Sequence, residues 1–445
     1  MSVTSSITAA RQRRSTVGAF VGTAIEWYDF YVFGTAAALV FGSVFYPDFA
    51  PGAGLIASFA TFWVGFLARP IGGVIFSHFG DRFGRRNTLV VTLVLMGVGT
   101  TAIGLLPGYA QIGVVAPILL IVFRAVQGLA VGGEWGGAVV LATENARSRN
   151  RTMAGAWVQQ GSPAGAILAT VAFLLVSQLP DEAFMSWGWR IPFLASAVLV
   201  IVALLIRLGV EETADFESLK KKREVAKVPL VAVFRTSGSA VVFGVLASVC
   251  GIGLAYFGNT FLLAWTTGQL QMDRGAILNV ILLSAVAQFI WQPFAALIAR
   301  RVGDRTVLVG GLVLSIVFAV PLFLAIQSGN IVFLGIVMVL NVIGGTSYYA
   351  VLANALAQAF PPRVRYTGVS VAYQLCAMIF GGTTPLIAQW VLTVSGGNAW
   401  AVMAYYIGLI VVTIAGVIGL MRIVQRRAET PDSPPSPVDL AEEVR

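Results

Sequence analysis

Two carboxylates stand inside an apolar stretch long enough to cross a bilayer. Residues 17–45 read VGAFVGTAIEWYDFYVFGTAAALVFGSVF, with Glu26 and Asp29 three positions apart. A crossing takes about 20 apolar residues, and an ionised acid at that depth is costly unless it is paired, hydrated or protonated. At i, i+3 spacing the two side chains share a helix face, so that face has to meet protein or water. Two kinds of chemistry fit: an acid pair pinning the helix to a basic neighbour, or a proton or substrate site.

The fourth apolar stretch offers the basic neighbour. Arg124 lies near its middle and Glu134 ten residues further on, about 15 Å along a helix axis, too far for the two to pair. Gln127 and Glu134, seven apart, share a face. The first and fourth stretches run in opposite directions, so Arg124 and Glu134 fall at depths similar to Glu26 and Asp29. An Asp29–Arg124 or Glu26–Arg124 pair is therefore geometrically open, either as a static buried ion pair or as a functional charge cluster. An arginine at the midplane can grip a carboxylate through two N–H groups, which points to an anionic or zwitterionic substrate. Arg69 is a second arginine within a span, and the adjoining Pro70 and its depth suggest a structural or gating role.

These residues are embedded in a chain that is 57% apolar and 11% charged, with a mean hydropathy of +0.84. Soluble domains carry about 25% charged residues, so this is an all-α polytopic membrane protein. Hydropathy marks spans at 17–45, 53–77, 88–107, 112–143, 153–178 and 190–209, then at 238–266, 276–299, 307–327, 331–359, 367–394 and 398–421. The expected organisation is twelve transmembrane helices in two six-helix halves, 17–209 and 236–421. A polar N-terminal segment occupies 1–16, a polar linker that reads as a short surface helix 210–235, and a Pro-rich, disordered tail 422–445.

Alternate loops are rich in arginine and lysine: Arg82/Arg85/Arg86, Arg147/Arg149/Arg151, Lys220–Arg223, Arg300/Arg301/Arg305, Arg363/Arg365 and Arg426/Arg427. The intervening loops hold Asp48, Asp181, Glu182 and Asp273, with Arg274 the clearest basic residue. By the positive-inside rule both termini are cytoplasmic. The formal charge of +9 is explained by these loops and not by a nucleic-acid partner. Isolated Cys250 and Cys376 and a single histidine, His78, argue against a disulfide framework and a metal site. The run after residue 16 is too long for a cleaved signal core.

An internal repeat joins the halves. GDRFGRRNTLV after the second span and ARRVGDRTVLV after the eighth align on Gly84 and Gly303. Repeats of this kind bracket a midplane site. Glycine rows Gly128/Gly132/Gly136 and Gly161/Gly165 let helix backbones approach closely. The second half has no charged residue away from the membrane ends, but carries Tyr256, Asn259, Tyr349 and Tyr373 among other neutral polar groups. Charge handling is therefore expected in the first half and shape recognition in the second. Tyr28, Arg124, Gln127, Gln160, Tyr256, Asn259, Tyr349 and Tyr373 are the candidate substrate contacts, and Glu26, Asp29 and Glu134 the candidate proton carriers.

Gly80-Asp81-Arg82-Phe83-Gly84-Arg85-Arg86 resembles the signature loop of the major facilitator superfamily. Glu26-Trp27-Tyr28-Asp29-Phe30, Arg69-Pro70-Ile71-Gly72-Gly73, Gly132-Gly133-Glu134-Trp135-Gly136-Gly137, Trp189-Arg190-Ile191-Pro192-Phe193 and Arg363-Val364-Arg365-Tyr366-Thr367-Gly368 are similar to its metabolite:proton symporter family. The resemblance covers 17–421. It implies symport of a small organic acid or zwitterion with protons across a bacterial inner membrane, by a monomer without cofactors. It also implies a cytoplasmic latch built from Asp81, Arg82, Arg85 and Arg86, which breaks when that side opens. The physical reading agrees, because Asp81 at a helix end can accept charge-assisted hydrogen bonds; the arginines alone would serve topology. Ser77, Arg300 and Gln358 depart from the pattern, standing where glycine, aspartate and an acid are usual.

An enzyme is the rival class, but the spans hold no nucleophile–base–acid set and no phosphate loop. A receptor would not need the two-fold repeat. An exporter or an uncoupled facilitator shares the architecture. The short tail lacks heptads, which argues against the osmosensing branch of the family.

Overall fold

The computed structural model describes residues 3–83, 85–132, 139, 151–208 and 229–429. Twelve helices form the bundle among these residues. The first half holds α1 (Val3–Leu39), α2 (Pro51–Phe83), α3 (Arg85–Leu105), α4 (Val115–Val131), α5 (Arg151–Ser177) and α6 (Ile191–Leu208). The second holds α7 (Val233–Gln269), α8 (Arg274–Val302), α9 (Asp304–Ser328), α10 (Ile331–Ala359), α11 (Arg365–Val394) and α12 (Ala399–Glu429). Eight of the helices are long and apolar enough to cross a membrane by themselves, and shorter apolar helices stand at Val90–Leu105, Val115–Val131 and Gly188–Val202. The first helix is the one diluted by Glu26, Asp29 and arginines.

The hydropathy spans and the helices agree closely among the described residues; the fourth span, expected to reach 143, is described as a helix over Val115–Val131, and most of its remainder lies outside the described residues. One difference is at the N-terminus, where the polar segment continues α1 back to Val3; arginine is a good helix former and no Gly or Pro interrupts before Gly18. The surface helix expected at 210–235 lies outside the described residues up to 228, and 229–235 already belong to a helix. The tail beyond 429 also lies outside them.

Burial is turned inside out relative to a soluble protein. Leu175 and Val332 are 70% and 71% exposed on the outer surface, whereas Arg124 and Asp29 are 0% and 1% exposed within. Polar groups retreat from lipid toward the bundle interior. The second of the two aligned loops is a sharp helix–helix turn, in which Gly303 serves both α8 and α9 with φ +89°, a left-handed conformation that suits glycine; Gly84 of the first lies outside the described residues.

The halves are tied to each other at both ends. At the arginine-rich end, Asp304 of α9 accepts from Thr152 of α5 (3.2 and 3.3 Å) and from Asn354 of α10 (2.7 Å), and Asn354 also donates to Thr152 (3.0 Å). Gln374 of α11 donates to the Gly132 carbonyl and Gln292 of α8 to the Ala156 carbonyl. At the opposite end Arg274 bridges Asp181 at 3.2 Å, donates to the Ser177 carbonyl and covers the Phe184 ring. A cleft of about 490 Å³ opens beside it, lined by Ala38, Asp181, Thr267, Met272 and Arg274 among others.

Candidate functional site

Backbone contact places the charges. A Cβ on Gly128 of α4 would stand 2.0 Å from the Gly65 carbonyl oxygen of α2, and one on Gly132 would stand 2.1 Å from that of Arg69. No side chain fits between these helices, so Arg124 lies across α2 at Gly65, whose own Cβ would meet Nε at 2.5 Å. On the other side, Gly165 of α5 is packed against Trp27 and Tyr28 of α1. The glycine rows thus perform the close packing expected of them; Gly136 lies outside the described residues.

The four buried charges do not pair as the depths suggested. Glu26 Oε1 lies 3.6 Å from Arg69 Nη2, and Arg124 is salt-bridged to neither acid among the described residues. Asp29 is held by two hydroxyls, Ser196 of α6 on Oδ1 (2.6 Å) and Thr100 of α3 on Oδ2 (2.8 Å). Thr100 in turn accepts from Gln127 Nε2 (2.6 Å), and Gln127 Oε1 accepts from Arg124 Nη1 (3.1 Å). Arg124 therefore reaches Asp29 through Gln127 and Thr100. Residues at i and i+3 are offset by about 60° around a helix, enough to send Glu26 to α2 and Asp29 to α3 and α6.

Both guanidiniums are wrapped in aromatic rings. Arg69 lies 4.0 Å and Arg124 4.3 Å from the Phe30 centroid; Arg69 also covers Phe66 at 4.9 Å, and Arg124 covers Phe33 at 4.2 Å and Phe62 at 4.8 Å. Ring faces take the place of water around the cations. Each arginine keeps one buried N–H without an acceptor, Arg69 Nε and Arg124 Nη2.

The second half meets this cluster with rings and hydroxyls. Tyr256 of α7 contacts Phe62 (5.1 Å), Phe66 (5.3 Å), Tyr31 (5.8 Å) and Trp27 (6.1 Å). The Tyr349 and Tyr373 hydroxyls are 3.2 Å apart. Gln159 donates to the Tyr349 carbonyl and Gln160 to that of Phe289, each across the halves. α7 and α11 pass through π-helical turns at Phe257–Phe261, Trp265–Gln269 and Ala377–Gly381. The first and third of these face the first half: Gly34 packs on Thr260, and Trp63 Nε1 donates to the Met378 carbonyl. Such turns often mark functional sites.

The candidate residues sort plainly. Arg124, Gln127 and Asp29 form one chain; Glu26 and Arg69 form a pair beside it, and Tyr256 joins their aromatic wall. The Tyr28 hydroxyl is committed to the Pro192 carbonyl (2.7 Å), tying α1 to α6. Asn259 Nδ2 is turned onto its own helix at Ala255 (2.8 Å). Glu134 lies outside the described residues, as do the side chains of Asp81, Arg82, Arg85 and Arg86. Sequence reading missed Thr100 and Ser196, single hydroxyls in apolar helices that nothing marks out before packing is known.

Comparison with known proteins fits this architecture. A family model described as "Sugar (and other) transporter" matches residues 15–241, and the Major Facilitator Superfamily model matches 245–443. The chain belongs to the major facilitator superfamily. It is thus a multi-pass protein of the cytoplasmic membrane, in a family of transporters and not of enzymes. It is 40% identical to the shikimate transporter of Escherichia coli (strain K12) over 90% of this chain and 92% of that one. It is also 40% identical to the inner membrane metabolite transport protein YhjE of the same strain, over 90% and 91%. A proline/betaine transporter of that strain is 33% identical over 91% and 82%. The fold matches a partially occluded inward-open structure of the xylose transporter XylE from E. coli, with TM-score 0.67 and 16% identity over 94% of this chain and 97% of that one.

Proposed function

We propose that this protein is a proton-coupled symporter that imports a small organic acid or zwitterion by alternating access, as a monomer with both termini in the cytoplasm. The observation that carries this reading is the buried chain Asp29–Thr100–Gln127–Arg124 beside the Glu26–Arg69 pair. A carboxylate held by neutral donors, away from direct contact with a cation, can exist charged or protonated, which a coupling group has to do.

The substrate carboxylate engages the two guanidiniums that share Phe30, each of which has an N–H to give. Its charge offsets theirs and favours the neutral form of Asp29. Proton and substrate loaded together leave a nearly neutral core that the halves can close over. Release on the more alkaline side reverses the steps. Tyr256, Tyr349 and Tyr373 shape the opposite wall, and Gln160 steadies the seam between the halves. Relatives named for shikimate and for proline/betaine share a carboxylate as their common chemistry.

The test is uptake beside counterflow in the same proteoliposomes, with radiolabelled shikimate, 2-oxoglutarate, citrate, benzoate, proline and glycine betaine as the panel. Asp29→Asn is expected to abolish acid-driven accumulation while counterflow of the accepted substrate persists. Full acid-driven accumulation by Glu26→Gln, Asp29→Asn and the double variant would move the coupling site to Glu134.

A further inference from the structure

Thr100 has more acceptors than protons. Its Oγ1 lies 2.8 Å from Asp29 Oδ2 and 2.9 Å from the Met96 carbonyl oxygen, each placed to receive its single proton. The same oxygen accepts from Gln127 Nε2 at 2.6 Å. The Gln127 amide cannot be turned round, because its oxygen is taken by Arg124 Nη1. The hydroxyl therefore has one fixed donor and a choice of two acceptors.

We infer that Thr100 is a positioning residue whose hydroxyl swings between Asp29 and Met96 as Asp29 loses and gains its proton, so that neither protonation state leaves a buried polar atom without a partner. The inference rests on the reading of Asp29 as the proton carrier. With Asp29 charged, Thr100 donates to Oδ2 and Ser196 to Oδ1. When a proton from solvent binds Oδ2, the new O–H donates to Thr100 Oγ1. The threonine proton then turns to the Met96 carbonyl, and Oγ1 accepts from Gln127 and Asp29 with its two lone pairs. No proton leaves Thr100; one O–H bond forms, on Asp29, and one hydroxyl rotates. Ser196 keeps its bond to Oδ1 throughout. Because Gln127 stays on Thr100 in both states, Arg124 is not disturbed by the proton itself.

The charged and titratable groups around Asp29 are Arg124 on α4 and Tyr28 on its own helix, with the Glu26–Arg69 pair a turn away. Among the described residues α3, α5 and α6 turn no charged side chain toward it. The hydroxyls of Thr100 and Ser196 are thus its direct polar environment.

Infrared difference spectroscopy of the reconstituted protein tests this without a substrate. The carboxylic-acid carbonyl band that Asp29→Asn removes is titrated in the wild type, Thr100→Ser and Thr100→Val. Thr100→Ser is expected to reproduce the wild-type midpoint and band position. Thr100→Val removes a charge-assisted donor from the ionised form and only a neutral acceptor from the protonated form, so its midpoint moves to alkaline pH by about one unit. Its band also moves to the position of a less hydrogen-bonded acid. Should Thr100→Val not assemble, Thr100→Cys, with a weak thiol donor, is expected to fall between wild type and that shift. A variant lacking the hydroxyl that titrates like wild type overturns the switch and leaves Asp29 as carrier. If the wild type has no titrating band that Asp29→Asn removes, and Asp29→Asn still accumulates substrate, the reading of Asp29 falls and the inference with it.

Discussion

The two halves share a repeat and a helix count but solve opposite problems. The first buries Glu26, Asp29, Arg69 and Arg124 among phenylalanines and locks them with glycine-lined helix crossings. The second has no charged side chain in the middle of its spans and answers with tyrosines, amides and π-helical turns. Charges in a dry interior demand fixed geometry, since each misplaced one is costly. Neutral hydroxyls and rings tolerate adjustment, and a π turn leaves backbone groups free to rearrange. The rigid half therefore carries the buried charges and the adaptable half the neutral rings and hydroxyls, which is the division of labour the proposed symport mechanism uses.

The sharpest attempt to break this division is Arg124→Met. Removing one partner of a buried charge network costs about 3–5 kcal/mol, so uptake and counterflow should both fall more than about a hundredfold; losses under tenfold would mean charge handling is not concentrated there. Next is the Glu26–Arg69 pair. Glu26→Gln and Arg69→Met should each lower Tm in detergent strongly, and the double variant should lose about 1–3 kcal/mol less than their sum. Strict additivity would mean that the 3.6 Å approach carries no coupling.

On the other side, Tyr349→Phe or Tyr373→Phe should raise KM about five- to tenfold, the worth of roughly one hydrogen bond, with the pH midpoint of uptake unchanged. A displaced midpoint would put proton handling in both halves. The smallest effect is expected at the arginine-rich end. Thr152→Val removes a donor from Asp304 and an acceptor from Asn354, which should favour opening there by about 1 kcal/mol. A cysteine at Ala156, buried in the closed seam, should then label several-fold faster; an unchanged rate would show that the Asp304 cluster does not latch the halves.

Much of this was legible in the residues. Apolar run lengths marked the spans, i+4 glycine rows marked the close crossings, and Glu26, Asp29 and Arg124 stood out because charge is rare at such depth. Their partners did not. Arg69 read as structural or gating beside Pro70, and nothing in the sequence marked it as the residue that meets Glu26. The i, i+3 spacing implied one shared face, but the offset between those positions was enough to give the two acids different neighbours. Thr100 and Ser196 were invisible because a lone hydroxyl in an apolar helix ordinarily bonds its own i−4 carbonyl. Thr100 does that as well, and only the packing of α3 on α1 and α4 adds its second task. In the second half Arg300 stands where an aspartate is usual. The fold places Asp304, four residues on, against Thr152 and Asn354.

The α2/α4 crossing has a consequence for anyone wishing to change the cargo. The spacing of Arg69 and Arg124 is dictated largely by main-chain atoms of one helix facing glycines of the other, at Gly128 on Gly65, Gly132 on Arg69 and Gly72 on Leu129. Repacking cannot tune that distance; it can only destroy it. On the proposed carboxylate grip, libraries aimed at a new substrate should leave both helices untouched and diversify α7, α10 and α11, whose Tyr256, Tyr349 and Tyr373 form the proposed wall.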